Sequence, residues 1–134
     1  MKLAIKLNKP VIVHSRKAEL ECIEVLEKKK AKKVVMHCFS GNFKLVERAV
    51  KNGWLFSIPA NATFSEHFQK LAKEVPLNQI LCETDTPFLH PIKGEKDNEP
   101  ANVIEAYKMI AKIKGISLEE CEKRIEENYK RLFG

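Results

Sequence analysis

The sequence has no glycine-rich phosphate loop, no paired cysteines and no long apolar run, and each absence closes off a class of function. Only five glycines occur, and the stretch after the first apolar run, "VHSRKAEL", contains none. A nucleotide phosphate cannot be cradled there as it is in glycine-rich loops. That argues against an open flavodoxin-type sheet that binds a nucleotide at its switch point. Cys22, Cys38, Cys82 and Cys121 stand far apart with no C-x-x-C pair, so neither a zinc ribbon nor a disulfide framework is written. A reduced, cytoplasmic setting fits such isolated thiols. The opening "MKLAIKLNKP" is too short an apolar run for a signal peptide or a membrane span, which implies a soluble chain without membrane contact. No internal repeat or low-complexity segment appears, and no hairpin turn joins the apolar runs.

What is present suits one domain over residues 1–134, 44% hydrophobic and long enough for a sizeable core. Twenty-four Lys and Arg oppose 18 Asp and Glu, for a net charge of +6. That balance favours anionic partners such as nucleic acid, although the surplus reads as solvated charge spread along lysine-rich helices.

Along the chain, two hydrophobic periods alternate. "PVIVHS" (10–15), "KVVMHCFS" (33–40), "WLFSIPA" (54–60) and "QILCETDTP" (79–87) read as strands. Between them, "RKAELECIEVLEKKK", "FKLVERAVKNG" and "EHFQKLAKEV" carry apolar residues at helical spacing. Strands separated by helices imply crossover connections and a parallel α/β sheet. A polar loop at 89–99, the one expected mobile excursion, precedes a helix from Pro100 to Gly115. Ser117 and Glu120 form an S-x-x-E capping box for a last helix with a Leu118, Cys121, Ile125 and Leu132 stripe. The initial "MKLAIKLN" helix is too short to stand alone and should dock or fray.

In parallel α/β proteins the site lies at the carboxyl ends of the strands. Here the first strand ends in His14 and Ser15, the second in His37, the third in Pro59 and Asn61, and the fourth in Glu83 and Asp85. Two imidazoles and a carboxylate delivered to one rim are what a hydrolytic metal site needs. One histidine in a strand is more often a packed core residue than a ligand, so the weight rests on the combination. Glu83 and Asp85, two apart, should face the same side and shape that rim. Ser40 and Gly41 open a helix after a strand and offer backbone N–H groups to a phosphate, as a plain capping turn also would. His67 and His90 are expected at the surface. Cys38 should alternate away from His37 as a packed thiol.

"NKPVIVHSR", "MHCFSG", "ETDTPFL", the "NEP" of 98–100 and "ENYKRLFG" occur in this order. Together they resemble the successive motifs of the TatD-type metal-dependent deoxyribonucleases, members of the amidohydrolase-like barrels. The resemblance covers essentially the whole chain. It implies parallel βα units of a TIM (β/α)8 barrel, a divalent metal (Mg, Mn or Zn), and hydrolysis of phosphodiester bonds in DNA, from the 3′ end of single strands. Motif by motif, it makes His14 and His37 metal ligands and Asp85 a ligand or the base that activates water. Arg16, just past the first strand, would pair with a phosphate if the nuclease reading holds, although an Arg on the first turn of a helix is more often only a surface charge.

Two departures accompany the match. Family members begin with a strand bearing an H-x-H pair and carry a bridging glutamate on the fourth strand; neither is found here. An arginine expected before "NEP" is replaced by Asp97. The chain therefore corresponds to the second half of a barrel of about 250 residues. Four strands in isolation leave edges at 10–15 and 80–85, together with an apolar inner face. Association with a second copy, or with a chain supplying the other half, is the expected consequence. The alternative function is a half-barrel that binds a metal or anion without turnover.

Overall fold

The computed structural model describes residues 1–134 and contains one parallel sheet in the order β1-β2-β3-β4. Strand β1 spans Val11–His14, β2 Val34–His37, β3 Leu55–Pro59 and β4 Ile80–Glu83. Helix α1 (Lys2–Lys6) precedes β1, whereas α2 (Glu19–Lys28), α3 (Phe43–Lys51) and α4 (Glu66–Glu74) make the crossovers. Helices α5 (Val103–Lys114) and α6 (Leu118–Phe133) follow β4. Every pairing is between strands consecutive in the chain and runs parallel. This is the expected βα architecture, with β1 and β4 as its two edges.

Register separates two faces of the sheet. Val34, Met36, Phe56, Ile58 and Ile80 share the face beneath the helices and are fully buried. The branched and aromatic side chains suit a sheet covered on that side. The opposite face carries Ile12, Val35, Leu55, Ser57, Leu81 and Glu83, in line with His14 and His37. At its β1 edge, Ile12 is 61% exposed.

Polar anchors set where the helices sit. The Asn128 Nδ2 of α6, 2% exposed, donates to the carbonyls of Leu77 and Ile80 at 2.8 Å each and so fixes α6 to the start of β4. Trp54 Nε1 donates to the Ala31 carbonyl at 2.9 Å, joining β3 to the end of α2. Lys114 Nζ closes α4 by donating to the Val75 and Lys73 carbonyls, which is the favoured place for a cation. Gly115, at φ 66°, ends α5 in the left-handed conformation that glycine adopts at little cost.

Three local expectations change. Ser117 caps α6 by accepting from the Glu120 N–H at 3.1 Å, but the reciprocal half of the box is not made, because the Glu120 carboxylate instead accepts from Arg124 Nε at 2.7 Å. The 89–99 loop is tied at its base by the buried Asn98, whose side chain donates to the Thr84 and Phe88 carbonyls. The positive surplus is not spread: the first 33 residues carry ten Lys and Arg against four Glu, and the other 101 carry fourteen of each sign. Lys9, Lys30, Lys32 and Lys33 surround a cavity of about 150 Å³ at the amino ends of β1 and β2. They stand at the end of the sheet opposite His14 and His37.

Candidate metal centre

His14 closes β1 and His37 closes β2, and the two are directly paired in register. Their rings lie 5.6 Å apart, centroid to centroid. Asp85 comes from the turn two residues beyond the last paired residue of β4. Its φ of 58° is left-handed, an uncommon backbone state for a side chain other than glycine. The turn carries the carboxylate back over β2, where Asp85 Oδ1 stands 3.5 Å from His37 Nε2. A cavity of about 180 Å³ opens here, lined by His14, Arg16, His37, Cys38, Ser40 and Asp85 among others.

Glu83 lies inward of this rim. Its Oε2 meets His37 Nδ1, and its Oε1 accepts from Ser57 Oγ at 2.7 Å and from the Cys38 N–H at 3.0 Å. Both oxygens are thus engaged within the protein, so Glu83 does not stand on the rim beside Asp85 as strand alternation predicts. Gly41 is also inward: a Cβ there would come within 2.5 Å of the Phe39 ring, so the residue permits close packing and does not line the cavity. Ser40 remains at the rim, its hydroxyl donating to Glu19 at 3.2 Å. Arg16 is exposed beside His14.

Cys38 departs from the strand alternation that would have turned it away. Its φ is 43°, so the extended geometry ends at His37 and the thiol shares the cavity. Burial, then the Glu83 and Asp85 carboxylates, push this thiol well above its ordinary range, and a cation at Asp85 would act in the opposite sense. His67 is half-buried, with Nε2 2.9 Å from the Phe39 carbonyl and its ring against Phe43 and Phe68. It steadies the β2–α3 connection. His90 sits in the loop, with Nδ1 accepting from the Ile92 N–H. The turn after β3 adds no ligand to the cluster; the Asn61 Oδ1 there is buried without a hydrogen-bond partner.

The donor set fits a divalent cation. One ligand atom each from His37, Cys38 and Asp85 lie within 4.8 Å of one another; His14 is not in that group, its ring centroid lying 5.6 Å from that of His37. Glu83 lies against Nδ1, and Nε2 is the ring nitrogen that faces Asp85. Two acceptors 3.5 Å apart repel unless they share a positive charge, a proton or a metal ion. Imidazole and carboxylate donors suit zinc or manganese.

Four consecutive βα units with donors gathered at the carboxyl ends of the strands define part of a βα-barrel of the kind that carries a strand-end metal centre. The family model for TatD related DNase matches residues 1–134, and the chain belongs to that family. It is 40% identical over 133 residues to the uncharacterized metal-dependent hydrolase MJ1582 of Methanocaldococcus jannaschii, covering 99% of this chain and 52% of that protein. It is 41% identical over 133 residues to the deoxyribonuclease TATDN3 of Homo sapiens, covering 99% and 48%. The crystal structure of YJJV, a TatD homologue from Escherichia coli K12, superposes with a TM-score of 0.88 at 25% identity, over 98% of this chain and 52% of that one. A TatD family hydrolase from Entamoeba histolytica gives a TM-score of 0.84 at 23% identity, over 98% and 53%. The chain spans about half the length of the curated relatives it matches.

Proposed function

We propose that this chain holds a divalent metal through His14, His37 and Asp85 and that the resulting centre hydrolyses phosphodiester bonds of DNA, acting from the end of a single strand. The observation that carries the reading is the convergence of His37 Nε2 and Asp85 Oδ1, beside His14, at the carboxyl ends of the strands. Metal-dependent hydrolases and a deoxyribonuclease among the relatives support it.

When bound, a divalent ion supplies positive charge that acidifies a coordinated water and offsets charge building on the phosphate. Asp85, 37% exposed in its side chain, would help hold the ion through the oxygen turned to His37, and its other oxygen would be free to accept a proton. Glu83 holds the His37 ring, and Arg16 and Ser40 at the rim meet the backbone phosphates. No element of the chain reads base edges, so sequence preference should be low. Magnesium fits the nuclease chemistry, while the imidazoles favour manganese or zinc.

The chain spans about half the length of the relatives it matches, and the activity is read for the whole barrel that such relatives span. Association with a second copy or another chain is proposed through the open edge of β1, where Ile12 is exposed while Val35, Leu55 and Leu81 of the same face are buried. A dimer or larger assembly in equilibrium sedimentation supports this association; a monomer at high concentration removes the second-copy form of it. No helix is long and apolar enough to cross a membrane, and four free thiols favour the cytoplasm.

The test is degradation of end-labelled single-stranded DNA with magnesium, manganese or zinc, beside Asp85→Asn. Cleavage lost in the variant supports the nuclease. Metal binding without cleavage by either protein favours the second reading, a non-catalytic half-barrel, which the grouping of donors around a single position would also explain.

A further inference from the structure

We propose that Glu83, braced by Ser57 and the Cys38 backbone, is a positioning residue that selects the Nδ1–H tautomer of His37 and thereby keeps Nε2 bare for the metal; this rests on the reading of His37 as a ligand. One carboxylate of β4 reaches across β3 to β2 and receives three donors. An ionised carboxylate only accepts, so the nitrogen facing it must carry the proton. In a neutral imidazole the other nitrogen is then bare, and that nitrogen is the one directed at Asp85.

The arrangement is over-determined. Ser57 is 6% exposed, and its hydroxyl spends its proton on Glu83 Oε1. The Cys38 N–H reaches the same oxygen from a backbone held at φ 43° and cannot be redirected by rotating a side chain. Together they hold Oε1, and Oε2 is the oxygen that meets His37.

This geometry makes a specific prediction for Glu83→Gln. The amide oxygen must occupy the Oε1 position, because two donors converge there. The amide NH₂ is then forced toward His37 Nδ1, where it donates. The favoured tautomer inverts, the proton moves to Nε2, and the ligand lone pair is lost. Removing such an outer partner typically costs about 10–100-fold in metal affinity.

The test is long-range proton–nitrogen NMR of ring-labelled histidines at pH 8 with a chelator present, followed by zinc titration by calorimetry and by NMR. The wild-type chain is expected to show Nδ1–H at His37 and an Nε2 resonance that moves on adding zinc. Glu83→Gln is expected to show Nε2–H and zinc affinity lower by about 10–100-fold. Ser57→Ala, with the carboxylate kept, should retain the wild-type tautomer. A wild-type Nε2–H tautomer overturns the inference even if the glutamine variant does not fold. So does a glutamine variant that keeps both Nδ1–H and full affinity. Zinc that leaves His37 Nε2 unmoved in the wild type instead removes the metal-ligand reading itself.

Discussion

Replacing Asn98 by aspartate should cost the fold far more than one atom's change suggests. Asn98 is 6% exposed, and its Nδ2 donates to the carbonyls of Thr84 (2.9 Å), Phe88 (2.7 Å) and Leu89 (3.3 Å). Its Oδ1 accepts from the Glu99 N–H and from Asn102 Nδ2, both at 2.9 Å. A carboxylate in that place would keep the accepting oxygen but turn a second oxygen on three carbonyls. Losing two good buried bonds and leaving their acceptors unpaired amounts to about 2–4 kcal/mol. With a urea m-value of about 2 kcal/mol/M, the unfolding midpoint falls by about 1–2 M. The effect reaches the metal centre, since Thr84 immediately precedes Asp85, whose φ of 58° needs a firmly held turn. Metal affinity should therefore drop under conditions where the Asn98→Asp variant is still folded. Urea unfolding followed by circular dichroism, with zinc calorimetry at the same temperature, reads both quantities. A midpoint within about 0.3 M of wild type would refute the reasoning, because the three-carbonyl staple would then contribute almost nothing.

Gly41→Ala would press a methyl into the fully buried Phe39 ring, at 2.5 and 2.7 Å from its atoms, and should destabilise by about 1–3 kcal/mol in the same urea assay. Trp54→Phe leaves the Ala31 carbonyl without its 2.9 Å donor and should cost about 1–3 kcal/mol, read as a lower thermal midpoint. Glu27 is held down to about 2 by hydrogen bonds from Arg48 and Asn52. Because its folded value lies below the ordinary 4.5, the stability it contributes is fully present above that pH and is lost as pH falls toward about 2. Glu27→Gln should therefore melt earlier than wild type at pH 7, with the gap closing near pH 2; a constant gap would contradict the linkage.

The strands and their order were legible because each apolar run is short, branched and followed by a helical period. His14 and His37 were legible as neighbours for the same reason: a parallel register aligns strand ends. Side-chain direction beyond the strand ends was not legible. Alternation predicts Cys38 on the far face, but its left-handed backbone rotates it into the cavity, and no residue type in "HCFSG" signals φ 43°. Glu83 and Asp85 do serve one imidazole, but from opposite sides, because Asp85 also turns left-handed after the strand. Asn98 and Asn128 lie within the "NEP" and "ENYKRLFG" segments, and both are buried. Their burial becomes visible only once carbonyls at a loop base and a strand start are seen to need donors. His67 was missed likewise, since its partner is the backbone of Phe39, distant in sequence.

The central claim is that His14, His37 and Asp85 form one divalent-metal site. Calorimetric titration of the wild-type chain with manganese and zinc, beside His37→Ala and Asp85→Asn, tests it most directly. Saturable binding is expected in the wild type, weakened at least about tenfold in each variant while the fold is retained. Absence of saturable binding by the wild type, or equal affinity in all three proteins, would contradict it.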